Sequence, residues 1–578
     1  MTSTKSMTGN ATDDFEDFDP DEPADAAVAS LDLLLTEAAL GTAHMFRPRG
    51  AGIRTAVKLA LKPKDVAGRS AELAAELGRI ASGKSEIEPD RRDRRFAFDF
   101  WRKNPALLRI MQTYLAAGKT AEDILADADL STEDNEVMKF LLLNLTEALA
   151  PTNNPFTNPL AWYAVKTSKG KSIIDGSRAL VRDMKHAPHL PEMVDTEAFE
   201  IGKNIAVTPG DVVFRSDMFE LIQYKPQTEK VYRHPVLVVP PMINKFYAFD
   251  LAPGRSLAEY FVQEGLQTFV ISWRNPTAEF SDWGFDAYGS AILQAMDVVE
   301  AITGTKKTNV MGTCSGGIVT TLVMAYLAEL GQLHRVASLT LPVAVLDSHD
   351  AGLSTAALNE STAKAAIAVS AARGYLDGRQ LAEVFAWLKP TDLIWGYWIN
   401  NYLMGRKPPA FDILFWNADT TRMAAHLHRD FVTMALNNDI VHPGQAHLMG
   451  VPIDTHKIDV ETLIVGGESD HLCQWSATYA TTQLLGGPVN YVLVRNGHIG
   501  SIINPPSSTR STYRVNPDNP ASSDEWYRNS EVKKGSWWPV ATKLCARKGG
   551  GKKLAPKSTG SAAFPALCPA PGTYIFED

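Results

Sequence analysis

The sequence predicts an α/β protein: a mostly parallel sheet covered by helices on both faces, preceded by a helical region and interrupted by an insertion. Three observations carry this expectation. After about residue 200, six short β-branched runs alternate with helical stretches, and strands separated by helices return parallel because each crossover passes over a face of the sheet. Residues 26–200 are instead rich in Ala and Leu at helical spacing. Between about 352 and 455 the alternation lapses and aromatic residues crowd together.

In chain order, residues 1–25 (MTSTKSMTGNATDDFEDFDPDEPAD) carry an acidic run where a signal peptide would need basic residues and then an apolar stretch. They are expected as a disordered acidic tail. Residues 26–200 are expected as a helical N-terminal domain; in FAFDFWRKNPALLRIMQTYLAAGKT the apolar Phe100, Trp101, Leu107, Leu108 and Met111 recur every three to four residues. The six strands are expected in HPVLVVPP (234–241), LQTFVISW (266–273), KTNVMG (307–312), SLTLPVAVLD (338–347), ETLIVGGESD (461–470) and VNYVLVRNGH (489–498). They place a catalytic domain at 201–351 and 456–545, with 352–455 as an inserted cap. Residues 546–561 (ARKGGGKKLAPKSTGS) read as a flexible linker, closed by a more apolar C-terminal piece, to 578, expected to dock on the body.

Composition narrows the function classes. With 57 basic against 66 acidic residues the net charge is −9, so no global positive field draws the chain to nucleic acid. Four cysteines in 578 residues, with no CxxC pair, exclude a disulfide framework and fit a reducing, cytoplasmic compartment. No run of about 18 apolar residues suggests a transmembrane span. No metal-ligand cluster, dinucleotide fingerprint or phosphate loop is apparent, so neither a metal nor a nucleotide cofactor is implied.

The chemistry concentrates at NVMGTCSGG, where a strand ends, Gly312-Thr313-Cys314-Ser315-Gly316 follows and a helix begins. This is the GxSxG nucleophile elbow with Cys in place of Ser, which makes the expected fold an α/β hydrolase fold. Small residues are needed because the tight turn brings positions 312 and 316 against neighbouring backbone. The N–H of Ser315 then lies where an oxyanion forms. In this fold the acid follows a late strand and the His follows the last one. Asp470 and His498 occupy those places, giving the order Cys314, Asp470, His498, with one helix and one strand between the last two. His498 would take the thiol proton, and Asp470 would fix its tautomer or act on a second proton. Asp347, ending an earlier strand, is the alternative acid; His471 neighbours Asp470 and is expected only to shape the loop. A second oxyanion donor is expected from the backbone near Met242 or Ile243 in PPMIN, since the usual His-Gly pair is absent there. Trp387, Trp395, Tyr397, Trp398, Phe411, Phe415 and Trp416 of the cap would form its own core and a subunit contact, or help close the site against water.

GTCSGG, VVPPMINKFYAFDL, SWRNP, FAWLKPTDLIWGYWINNYL, FDILFWNADTTR, DHL before a Trp, NGHIGSIINPP and the ending PALCPAPGTYIFED together resemble the polyhydroxyalkanoate synthases, with several segments nearest the medium-chain branch. The resemblance runs from about residue 90 to the end. It implies an acyltransferase that polymerises (R)-3-hydroxyacyl-CoA into a polyester with release of CoA, working as a homodimer on cytoplasmic granules, with Cys314 as nucleophile, His498 as general base and Asp470 as the acid. In that family the Asp is often assigned to activating the incoming 3-hydroxyl. Two other classes stay open on the sequence. A hydrolase on the same scaffold (thioesterase, polyester depolymerase or lactone hydrolase) would use the same three residues with water as acceptor, and a non-catalytic granule-coat protein would not need Cys314.

Overall fold

The computed structural model describes residues 31–577 except 49, 91–92, 186, 348–359 and 471. The expected acidic tail, the first residues of the expected cap and His471 lie outside the described residues.

Eleven strands form the main sheet. In chain order they are β1 (Gly210–Arg215), β2 (Phe219–Tyr224), β3 (Val236–Val239), β4 (Thr268–Trp273), β5 (Thr308–Gly312), β6 (Val336–Pro342), β7 (Thr462–Gly467), β8 (Val489–Val494), β9 (Thr512–Val515), β10 (Glu531–Lys534) and β11 (Cys568–Pro569). They lie side by side as β10-β9-β8-β7-β6-β5-β3-β4-β2-β1-β11. The six strands expected from the sequence are the central ones, β3 to β8, and all run parallel. Each flank is antiparallel: β2 against β4, β1 against β2 and β11 on one side, β9 and β10 on the other. This is the α/β hydrolase fold.

The central strands read as unbroken apolar runs because both faces are covered. Alternate residues feed two separate cores. Leu237, Val239, Val310, Ile464 and Leu493 share one core with residues of the helices Phe285–Thr303 and Ser315–Glu329. Val236, Val238, Met311, Val465 and Val492 pack with the helices Leu257–Gln263 and Trp538–Arg547. The helix Ser315–Glu329 is buried on nearly every side, so it is apolar all round rather than amphipathic.

The N-terminal helices do not all stand apart from the sheet. Phe96, Trp101, Leu107 and Met111 make a small core of their own, but Leu34, Leu35, Ala38 and Ala39 of the helix Leu31–Leu40 belong to the first sheet core. That helix lies among the helices Glu360–Arg373, Gly378–Leu388 and Ala425–Asn437 of the insertion. The buried His428 ring reaches the Leu35 carbonyl at 3.2 Å, and Thr42 donates to Glu383 at 2.9 Å.

Residues 546–561, expected as a flexible linker, are instead held to the body. Lys552–Leu554 pairs as a strand with Lys230–Tyr232, Thr559 donates to Asp211 at 2.6 Å, and the Gly560 N–H donates to Gln223 at 2.6 Å. A polar, Gly-rich composition suits a surface strand whose order comes from backbone pairing, and side-chain composition does not report that pairing. Beyond it, β11 covers the edge of β1, and the final turn satisfies a charge inside the sheet. Glu220, fully buried in β2, accepts from Arg215 at 2.7 Å, from the Thr573 N–H and hydroxyl at 2.8 Å each and from the Tyr574 N–H at 3.1 Å. Removing residues 568–578 would leave that carboxylate with only its Arg215 bonds and bare the β1 edge. We expect a loss of about 3–5 kcal/mol, read as a lower urea midpoint, with Glu220→Gln recovering part of it in the truncated chain.

Candidate active site

β5 runs through the middle of the sheet between β3 and β6 and ends at the elbow. The turn is pinned from both sides: Thr313 N–H donates to the Val239 carbonyl at the end of β3 (3.2 Å), and Cys314 N–H donates to the Pro342 carbonyl at the end of β6 (3.0 Å). Cys314 itself sits at φ 50°, ψ −125°, a conformation L residues rarely adopt and one that a nucleophile elbow imposes. The glycines answer close approaches. A Cβ on Gly312 would lie 2.5 Å from the Thr320 hydroxyl and 2.9 Å from Gly317 Cα, and one on Gly316 would strike the Pro240 carbonyl. The helix Ser315–Glu329 starts directly after Cys314, so its first N–H groups have no acceptor within the helix. That of Ser315 lies beside the Cys314 sulfur and helps lower its pKa.

The loops after β7 and β8 deliver the other two residues. Asp470 accepts at Oδ1 from the N–H groups of Leu472 and Cys473, each at 2.9 Å, and at Oδ2 from His498 Nδ1 at 2.8 Å. Since an ionised carboxylate only accepts, Nδ1 carries a proton and Nε2 faces the thiol. Cys314, Asp470 and His498 are all buried, and the donor atoms of Cys314 and His498 lie within 4.8 Å of each other. Asp347, the alternative acid, instead accepts from the Asn438 side chain at 2.8 Å.

Sequence reasoning missed Cys473. Its sulfur lies within 4.8 Å of both the Cys314 sulfur and the His498 ring nitrogen. These three possible metal donors are far apart in the sequence and carry no spacing motif. Position 473, three residues after the acid and inside the DHL-to-Trp segment, was the available signal, because the Asp470 turn folds its third residue back toward the carboxylate. The contact has an electrostatic consequence. A hydrogen bond from the Cys473 thiol does most to hold the Cys314 pKa well below the usual thiol range; burial opposes this, while the His498 charge and the Ser315 N–H add to it. Cys473 moves the other way, well above the usual range, because its proton is held in that bond and because it is buried. Burial disfavours a charged His498, but the Asp470 carboxylate and the Cys314 sulfur outweigh it and raise its pKa well above the ordinary value. Both shifts favour a thiolate–imidazolium pair at rest.

Of the two backbone positions expected to supply a second oxyanion donor, Met242 faces the elbow: its N–H donates to the Ser315 hydroxyl at 3.2 Å. Ile243 is half-buried against the first core. From the insertion, Tyr397 and Trp416 share one apolar cluster with Cys314 and Cys473, and Phe411 and Phe415 pack against it. The Trp416 ring also donates to the Lys245 carbonyl at 2.7 Å. Trp387, Trp395 and Trp398 pack elsewhere, Trp387 against Phe46 and Trp398 against Trp395 and Tyr402.

The charge state has a direct test in thiol alkylation. The rate at an ordinary thiol rises about tenfold per pH unit below its pKa of about 8.5, whereas a thiol whose pKa is depressed well below that is already ionised at neutral pH. Iodoacetamide should therefore modify Cys314 at a nearly constant rate between about pH 6 and 8. Cys545, whose burial pushes its pKa up to about 12, should be modified at least ~100-fold more slowly. Peptide mass spectrometry resolves the sites, and a Cys314 rate climbing tenfold per unit would contradict the ion pair.

Residues 92–261 match the family model described as the N-terminus of poly-beta-hydroxybutyrate polymerase (PhaC). Poly(3-hydroxyalkanoate) polymerase 2 of Ectopseudomonas oleovorans is 41% identical over 503 residues, which cover 87% of this chain and 90% of that protein. Polymerase 1 of the same organism is 41% identical over 91% of this chain and 94% of its own length. The poly(3-hydroxyalkanoate) polymerase subunit PhaC of Cupriavidus necator is 36% identical over 86% and 85%. With more than a third of the residues identical over most of both partners' lengths, the chain belongs to the poly(3-hydroxyalkanoate) polymerase family.

Proposed function

We propose that the chain polymerises (R)-3-hydroxyacyl-CoA through a thioester on Cys314. The observation that carries this reading is the continuous chain from the Cys314 sulfur through His498 to Asp470 at the ends of three parallel strands. The thiolate attacks the CoA thioester carbonyl, and the Ser315 and Met242 N–H groups stabilise the oxyanion, the latter by exchanging its bond to the Ser315 hydroxyl for one to substrate. The imidazolium of His498 protonates the departing CoA sulfur, leaving the acyl group on Cys314 and a neutral ring. One thioester has replaced another, so the acyl group stays activated. The 3-hydroxyl of the next unit or chain end then gives its proton to His498 and attacks the Cys314 thioester. An ester bond forms and the Cys314 thiolate is released.

Asp470 acts through His498 in both steps. Its carboxylate is fully enclosed and both oxygens already accept hydrogen bonds from the protein, which supports an indirect role over direct contact with the incoming hydroxyl. Water has to be kept from the same thioester, and the apolar cluster that Tyr397 and Trp416 share with Cys314 supports that role. None of these steps calls on a metal or cofactor.

Among the described residues no helix is long and apolar enough to cross a membrane. The reading places the protein in the cytoplasm, as a homodimer at the surface of the polyester granule it makes. Exposed Trp162 and Tyr163 of the helix Pro159–Thr167, Ile173 and Ile174 of the helix Lys171–Lys185, and Phe156 in the turn before them support an apolar contact of that kind.

The products decide between polymerisation and hydrolysis. Purified protein given 3-hydroxybutyryl-CoA should release CoA together with methanol-insoluble polyester; release of CoA with free 3-hydroxybutyrate and no polymer would reassign the site to a hydrolase.

A further inference from the structure

We propose that Cys314, Cys473 and His498 form a binding site for a soft divalent cation, zinc above all, which shuts the active site by occupying its nucleophile. Two sulfur atoms and one imidazole nitrogen lie within 4.8 Å of one another. Tetrahedral zinc holds sulfur at about 2.3 Å and nitrogen at about 2.0–2.1 Å, which puts its ligand atoms about 3.5–3.8 Å apart. The present arrangement closes to that geometry with side-chain shifts of about 1 Å or less. Each donor comes from a different loop, the elbow, the turn after β7 and the start of the helix after β8, so the site is built by the fold.

The surroundings suit a metal as well as the donors do. A metal-bound histidine usually gives its other ring N–H to a carboxylate, which fixes the tautomer and the ring plane. His498 Nδ1 meets Asp470 Oδ2 at 2.8 Å, and the other oxygen of the same carboxylate holds the Cys473 N–H at 2.9 Å. One buried acid thus positions two of the three ligands. Binding releases the Cys473 S–H and the His498 Nε2–H protons to solvent, and the two thiolates and imidazole that result, with a fourth position open, favour zinc over magnesium or calcium, which require oxygen ligands. Cys473 makes the difference, since without it the site offers only one sulfur and one nitrogen. A cation seated here takes the Cys314 electron pair that attacks substrate and the Nε2 position that handles the proton, so it inhibits. The inhibition rests on the polymerase reading, whereas binding is measured without substrate and tests the metal site by itself.

The experiment uses the full chain, reduced and stripped of metal, titrated with Zn²⁺ in competition with a chromophoric chelator and separately with Co²⁺. Wild type should bind one equivalent of either ion per chain. The cobalt form should show thiolate-to-cobalt charge-transfer absorption and the visible bands of a tetrahedral site. Cys473→Ser should weaken zinc binding by about 100-fold or more and reduce the charge-transfer intensity by about half. Cys545→Ser should match wild type. Zinc should also stop iodoacetamide from reaching Cys314. A cobalt spectrum of wild type without thiolate charge transfer, or zinc affinity equal in wild type and folded Cys473→Ser, would overturn the proposal. The spectrum is read on wild type, so a variant that fails to fold does not remove the test.

Discussion

Replacing Cys314 by alanine should reduce CoA release from 3-hydroxybutyryl-CoA on the order of 10⁵-fold or more, the scale seen when a nucleophile is removed from a cooperating triad. Cys314→Ser should also lose at least ~10³-fold, although it keeps the elbow, the oxyanion donors and the base. The loss at serine follows from how the site is tuned. Hydrogen bonds from Cys473 and Ser315 and the charge of His498 are enough to ionise a thiol, but an alcohol starts many units higher and stays protonated. A serine that does become acylated holds an oxygen ester, and transfer to the next 3-hydroxyl no longer starts from an activated thioester. Intact-mass measurement separates the two effects. Wild type should carry an adduct that neutral hydroxylamine removes, the serine variant a slowly formed adduct that resists it, and the alanine variant none. An alanine variant retaining a few per cent of turnover would mean that Cys314 is not the nucleophile.

The parallel core and the catalytic candidates were legible because both follow from local sequence. Strands buried on two faces have to be apolar throughout, which marked β3 to β8, and an elbow needs small residues around its nucleophile, which marked Cys314. Asp470 and His498 stood out because each directly follows such a strand. The antiparallel flanks were not legible. β2 carries Glu220, which reads as solvated until the Thr573 and Tyr574 N–H groups are brought to it from the far end of the chain. β10 is exposed along its whole length and has no apolar pattern to detect. Cys473 was hidden for a related reason: its place beside Cys314 depends on the Asp470 turn and on the packing of two loops.

That turn gives the second large expectation its form. Asp470→Asn should slow chain elongation by about 10³–10⁴-fold and the first acylation by a smaller factor, about 10–10². The asymmetry comes from the two protons His498 handles. Cys314 keeps its hydrogen bond from Cys473 and its Ser315 N–H when the acid is neutralised, so much of the thiolate survives and can still attack a first CoA thioester. The 3-hydroxyl of the next unit has no such help in giving up its proton and depends wholly on the basicity and aim of Nε2. Asparagine weakens both, since a neutral amide no longer raises the His498 pKa and can present N–H to Nδ1 and stabilise the wrong tautomer. Asp470→Asn should therefore give a burst of about one CoA per chain followed by very slow release. Rapid-quench measurement of CoA and of acylated protein distinguishes the phases. Equal loss of burst and steady state would show that the thiolate depends on Asp470 after all, and an unchanged steady state would remove the acid from the mechanism.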